Sequence, residues 1–375
     1  MTATFSVHAR VSGLDPLAIG TLTGAAGLLQ IGAAIPIGLL SDRIGRRRLI
    51  FAGHAAFAVS MAYMAFAGRF LPLLLGRLLF TLGSTAIFQV GSARLGDIVV
   101  SRLRHCAFGL LSATMGLGFG IGPFLGGLLS DTLGHALTYL LASSLSLSAL
   151  FVVQFCVGQG SRPRASYGMC QGLRRGFADM ARSPDLLLVT FANMIAGVTF
   201  AGTLGTFLPL YGRDIRISQT AIGTMFAVRS CVSAFGRLPA SILARRFGNH
   251  TFLLLGLACD SAAMFGIWAA NRPSVILVML AVEGLAYGGF IVAGQTYVAT
   301  HTTDENRGTV GGIYAMASGT AATFAPFALG VVAERWDVRS VFAASGVIVA
   351  AGFAAFATGL WLVNLRPRQA PVLGQ

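Results

Sequence analysis

"GLLSDRIGRRRL", residues 38–49, sets Asp42, Arg43, Arg46, Arg47 and Arg48 in one short turn between two apolar runs. The rest of the chain is poor in charge: 55% of its 375 residues are hydrophobic, 11% are charged, and the mean hydropathy is +0.75. Soluble domains carry about 25% charged residues, so a chain this apolar uses lipid as its solvent. A membrane-crossing helix needs roughly 20 apolar residues. Runs of that length lie on both sides of the turn, near 16–40, 49–67, 70–96, 106–130 and 134–158. They resume near 185–211, 218–242, 251–270, 274–299, 306–332 and 338–363. The expectation is an all-α polytopic membrane protein with about 11 spans. Their Gly- and Ala-rich interiors suit close helix packing.

The charges narrow the function. All 27 basic residues are arginine. Without lysine there is no P-loop and no retinal-type Schiff base. The net charge of +14 does not point to nucleic acid, because the arginines cluster in short loops between apolar runs. Sixteen lie in loops on the side of the 38–49 turn and seven on the opposite side. The positive-inside rule then places the turn, a central polar loop and the C-terminus in the cytoplasm of a plasma (inner) membrane protein. Cys106, Cys156, Cys170, Cys231 and Cys259 show no CxxC spacing and read as small packing residues. His54, His105 and His135 show no ligand spacing, so no metal site is expected, and no cofactor motif is visible.

The chain also repeats itself. A shift of 203 residues carries "AIG" at 18–20 onto 221–223, Pro36 onto Pro239, and "LSDRIG" at 40–45 onto "LARRFG" at 243–248. It also carries Arg69 onto Arg272, Arg104 onto Arg307 and Pro123-Phe124 onto Pro326-Phe327. Parallel repeats of this kind mark secondary transporters. The expected organisation is an N-terminal half (1–158), a central cytoplasmic loop (159–184), a C-terminal half (185–365) and a tail (366–375). The same shift maps the span 185–211 to positions before the first residue. The N-terminal half is therefore expected to lack its first helix, with "MTATFSVHAR" as the tail of it and the native start upstream.

Gly38, Leu40, Asp42, Arg43, Gly45, Arg46 and Arg47 resemble motif A of the major facilitator superfamily, in the loop between its helices 2 and 3. "GLGFGIGPFLGGLLSD", 116–131, resembles the motif C of that family's proton-coupled drug antiporters, carried by Gly118, Gly122, Pro123, Gly126 and Gly127. The resemblance implies two six-helix halves related by pseudo-two-fold symmetry and working by alternating access. It implies that Asp42 meets the N-terminus of helix 11, near 304–307, while Arg43 and Arg46 pair with Asp97, forming a latch between the halves. A helix N-terminus favours a nearby carboxylate by about 0.3–2 kcal/mol, and Gly45 permits the tight turn. The second copy departs, with Ser241 in place of Gly38 and Arg245 in place of Asp42. A cation does not suit a helix N-terminus, so the latch is expected in one half only. Motif C brings small residues that allow close approach and a proline that bends its helix.

Charges inside a membrane are costly and default to function. Arg77 occupies the family's motif B position, although Thr81 replaces the glycine that follows it there. Glu283 lies at similar depth in the tenth helix and is the candidate proton carrier or cationic-substrate contact. Arg229 is mid-span, suited to an anion or to neutralising Glu283. Asp260 falls in a helix that is peripheral in this fold and reads as structural. Gln89, Asn193, Tyr287 and Gln295 complete the polar cavity candidates. The functional expectation is a secondary transporter, not an enzyme. It exports drug-like or small organic compounds against protons, as a lipid-embedded monomer without cofactor. The alternatives are a proton-coupled importer of a small, anionic metabolite and a non-transporting remnant.

Overall fold

Two glycines with φ near +90° divide the helices on either side of the charged turns. Gly45 (φ 98°) separates the helix Pro16–Ile44 from Arg46–Met64, and Gly248 (φ 86°) separates Gln219–Phe247 from Asn249–Ala269. Only glycine adopts this left-handed conformation without strain, and the two lie 203 residues apart, the period of the repeat. The computed structural model describes residues 2–100, 103–156, 178, 180–181, 183–302 and 307–365. The described elements are helices: α1 (Thr2–Val11), α2 (Pro16–Ile44), α3 (Arg46–Met64), α4 (Phe70–Ile98) and α5 (Arg104–Cys156). After the central segment come α6 (Pro184–Asp214), α7 (Gln219–Phe247), α8 (Asn249–Ala269), α9 (Pro273–Thr300), α10 (Arg307–Arg335) and α11 (Ser340–Leu365). The shift of 203 carries α1 onto the last ten residues of α6, Gly205–Asp214, and α2 onto α7 residue for residue.

Each of the expected spans coincides with a helix. Eight helical stretches among the described residues are long and apolar enough to cross a membrane. One of them, Thr114–Phe155, covers 42 residues and turns back at Gly134 (φ 81°), so α5 supplies two crossings. Helices α3 and α7 are more polar for a physical reason: α3 opens on three arginines, and α7 carries Arg229 and Arg237 within its length. Helix starts follow the sequence signals. Asp15 accepts a hydrogen bond from the Ala18 N–H at 2.6 Å, with Pro16 in the first turn. Of the expected central loop, only residues 178, 180, 181, 183 and 184 are described, and the tail 366–375 lies outside the described residues.

The packing has a direction. We call the end bearing the 38–49 turn the near end and the other the far end. One apolar core at the far end joins both halves of the chain, with Ile19 and Leu22 of α2, Tyr139 of α5, Ile222 of α7 and Leu329 of α10 among its members. Toward the near end the core divides. Ala33, Ile37, Leu49 and Val90 cluster within the first half, and Leu253, Phe290, Val310 and Phe356 within the second. The glycines agree. Gly24 and Gly27 of α2 press on Thr323 of α10, whereas a side chain on Gly32, further along α2, would meet nothing within 4 Å. Likewise Gly120 of α5 still approaches Ser230 of α7 (3.4 Å), but Gly116 and Gly118 face open space. The halves are closed on each other at the far end and parted at the near end.

Candidate functional site

The second half gathers its buried charge at one place. Helices α7 and α9 pack backbone to backbone because α9 offers Gly284 and Gly288: a Cβ at either would come 2.5 Å from the carbonyl oxygens of Arg229 and Ser233. That approach sets Glu283 against Arg229. The guanidinium donates from Nε and Nη2 to the two carboxylate oxygens in a fork, with relative exposures of 3% for Arg229 and 0% for Glu283. Bidentate pairs of this kind are the strong ones. The Phe200 ring lies 4.4 Å and the Tyr287 ring 5.0 Å from the Arg229 Cζ, centroid to atom, and these two rings stack on each other at 5.5 Å. Phe200 belongs to a π-helical stretch of α6, Val198–Leu204, a distortion often found at functional sites.

Asp260 of α8 joins this cluster. It is 3% exposed, lies beside Glu283, and leaves its Oδ1 without a hydrogen-bond partner among the described residues. Asp260, read from the sequence as structural in a peripheral helix, is brought to Glu283 by the side-by-side packing of α8 and α9. The repeat held the signal: the shift of 203 maps Asp260 onto Phe57 and Glu283 onto Phe80, and those two rings pack at 4.9 Å. Two carboxylates and one guanidinium thus share a volume closed to water, where unbalanced charge is expensive.

The first half is built differently. Arg77 is 7% exposed, lies 4.8 Å from the Phe5 ring and 5.1 Å from the Phe80 ring, and makes no ion pair among the described residues. Tyr139, fully buried, stands near it with a hydroxyl that has no hydrogen-bond partner among the described residues. His8 and His135 extend the cluster, their rings 5.4 Å apart. Phe5 and Tyr139 carried no signal in the sequence. Arg77 and Glu283 belong to separate clusters, each inside its own half.

At the near end, Arg46 Nε pairs with Asp97 at 2.8 Å, joining α3 to α4. Arg47 donates to the Gln154 carbonyl at the end of α5, and Arg43 is exposed. The side chains of Asp42 and Arg245 lie outside the described residues. The glycines of 116–127 divide by depth. Gly118 and Gly122 face open space, Gly126 touches Thr4 Oγ1 (3.1 Å), and Gly127 abuts the Gln219–Thr220 backbone. Pro123, between them, packs against Gly223 of α7. Gln89 donates to the Ala34 carbonyl (2.9 Å) and Asn193 to the Tyr314 carbonyl (2.7 Å), so both tie helices within one half. Gln295 is exposed, on α9 toward the near end.

A Major Facilitator Superfamily profile matches the chain twice, over residues 2–214 and 186–374. The class C tetracycline resistance protein of Escherichia coli is 28% identical over 322 residues, covering 81% of this chain and 77% of that protein. The multidrug resistance protein MdtG of Escherichia coli (strain SMS-3-5 / SECEC) is 24% identical over 339 residues, covering 89% of this chain and 81% of the relative. The crystal structure of nucleoside transporter NupG superposes with a TM-score of 0.77 at 15% identity, over 96% of this chain and 94% of that one. With two helical halves, buried charges at mid-depth and a profile match along nearly its whole length, the chain belongs to the major facilitator superfamily and is a multi-pass membrane transporter.

Proposed function

We propose that this transporter exports small cationic organic compounds in exchange for protons. The observation that carries the reading is the buried Arg229–Glu283 pair with Asp260 beside it. One guanidinium and two carboxylates reach neutrality with one additional positive charge. A proton supplies it, and so does a cationic substrate, but not both at once. Coupled carboxylates that share a proton titrate as a unit. Competition for one charge vacancy makes the exchange obligatory: a proton arriving from outside displaces substrate there, and substrate arriving from inside displaces the proton. The tetracycline and multidrug resistance relatives support export.

The arginine-rich near end is assigned to the cytoplasm of the inner membrane. The structure is then open to the inside, the state that receives cargo for export. In this reading residues 1–158 and 185–365 are the two rocking halves of a monomer. Asp42, Arg43, Arg46 and Asp97 form the near-end latch that closes in the outward-facing state. The test is Glu283→Gln in proteoliposomes. It removes the carboxylate's charge and keeps its shape, so uphill, gradient-driven transport is expected to vanish while downhill exchange continues. Undiminished uphill transport by Glu283→Gln removes the residue from the mechanism. A second reading, import of an anionic metabolite, is favoured by one observation: Arg77 is a buried cation with no acidic partner among the described residues. Uptake of organic anions lost in Arg77→Gln, with no export of cations, identifies that case.

A further inference from the structure

The pentapeptide Gly-Leu-Leu-Ser-Asp occurs twice, at 38–42 and at 127–131. Three residues after each aspartate stands a glycine with positive φ, Gly45 at 98° and Gly134 at 81°. The copies lie at opposite ends of the bundle. The first closes α2 at the near end, and the second closes the first arm of α5 at the far end.

At the far end, where the halves touch, the second copy is engaged. Asp131 accepts hydrogen bonds from the backbone N–H groups of Gln219 (3.2 Å) and Thr220 (2.7 Å) and from the Thr220 hydroxyl (2.7 Å). These donors are the first turn of α7, in the other half of the molecule. A helix N-terminus has unsatisfied N–H groups and a partial positive charge, and the Asp131 carboxylate meets both. Gly127, which opens the pentapeptide, makes room for this approach, since any Cβ there would collide with the Gln219 carbonyl. At the near end, where the halves are parted, the matching Gly38 has only Gln89 of its own half nearby, at 3.7 Å.

We propose that Asp131 is a latch between the halves that holds the far end closed and must release α7 for the far end to open. The two pentapeptides would then take turns. The shift of 89 residues that carries Asp42 onto Asp131 also carries Thr220 onto Thr309 and Gly223 onto Gly312, in the first turns of α10. The helix that starts at the near end therefore has the same threonine in reserve for the first copy. The device is one-sided. The 203-residue equivalents of Gly127 and Asp131 are Gly330 and Glu334. Gly330 does pack on Leu17 and Pro16, at 3.3 and 3.4 Å. Pro16, however, has no N–H, and Leu17, the equivalent of Thr220, has no hydroxyl to donate. Both latch aspartates sit in the first half, and both capped helices in the second. The inference needs only the two-state cycle of the superfamily and is independent of the export reading.

The test measures the far-end opening directly. Spin labels at Arg69 and Arg272, exposed far-end positions in opposite halves, report the open and closed populations in lipid nanodiscs, with the native cysteines replaced. An N-cap interaction shifts an equilibrium by about two- to thirtyfold. Asp131→Ala and Thr220→Val are each expected to raise the open-to-closed ratio within that range. The double variant should do no more than Asp131→Ala alone, because the two groups form one contact. Asp15→Ala, which removes a cap lying within one half, should leave the distribution in place. If Asp131→Ala folds poorly, Thr220→Val carries the same expectation. The proposal is overturned by an unchanged distance distribution in either variant, by an equal shift in Asp15→Ala, or by additive effects in the double variant. A lowered melting temperature without a shift in populations would make Asp131 a fold-stabilising cap and nothing more.

Discussion

The two halves of this transporter share a backbone and divide the chemistry. Where the second half places Asp260, Glu283 and Arg229, the 203-residue equivalents in the first are Phe57, Phe80 and Ala26. Where the first half places Arg77 and Tyr139, the second has Leu280 and Phe342, both fully buried. One scaffold position thus accepts either an aromatic pair (Phe57 on Phe80) or an acid pair held by an arginine. The backbone repeat supplies two bodies that can rock against each other. The departures from the repeat place the buried acids in one body and leave a buried arginine, Arg77, in the other, so that in the proposed exchange protonation acts on the second half.

Breaking that division should have its largest effect on coupling. Glu283→Gln is expected to reduce proton-driven accumulation to background in proteoliposomes. Phe80→Leu, at the equivalent position, should leave coupling intact, and equal loss in both would show that the halves are not specialised. Next in size is stability. Removing one member of a buried ion pair costs about 3–5 kcal/mol, whereas replacing both by apolar residues is close to neutral. Arg229→Met should therefore unfold at clearly lower temperature than wild type, and Arg229→Met with Glu283→Leu should recover most of the loss.

The near-end turns sharpen the comparison at smaller scale. Asp42→Asn is expected to insert normally, to reduce transport about tenfold, and to shift the population toward the state open at the near end, consistent with helix-terminus energies of up to ~2 kcal/mol. Arg245→Asp, at the matching turn, should be mild in the same assay. Smallest is the turn geometry itself. Gly45→Ala and Gly248→Ala should each cost about 1 kcal/mol of thermal stability, because both sit at positive φ. Here the halves should behave alike, and a clear difference would mean that one of the two turns is held by something other than its backbone.

The sequence alone determined the membrane, the spans and the two-fold repeat. Those properties are sums over many residues: apolar length, glycine frequency and the arginine bias of loops each average over a segment, so no single contact decides them. It also singled out Arg229 and Glu283, because any charge in an apolar run stands out. Asp260 stood out equally and was read as structural, since a linear pattern does not say which faces of α8 and α9 meet. Only the tertiary structure decided that Asp260 shares a dry volume with Glu283, that Arg77 has aromatic rings and no acid for company, and that Asp131 reaches across to α7. These depend on helix rotation and on which end of the bundle is closed. Both are settled by backbone contacts at glycines such as Gly284 and Gly127, where a few tenths of an ångström separate fit from collision.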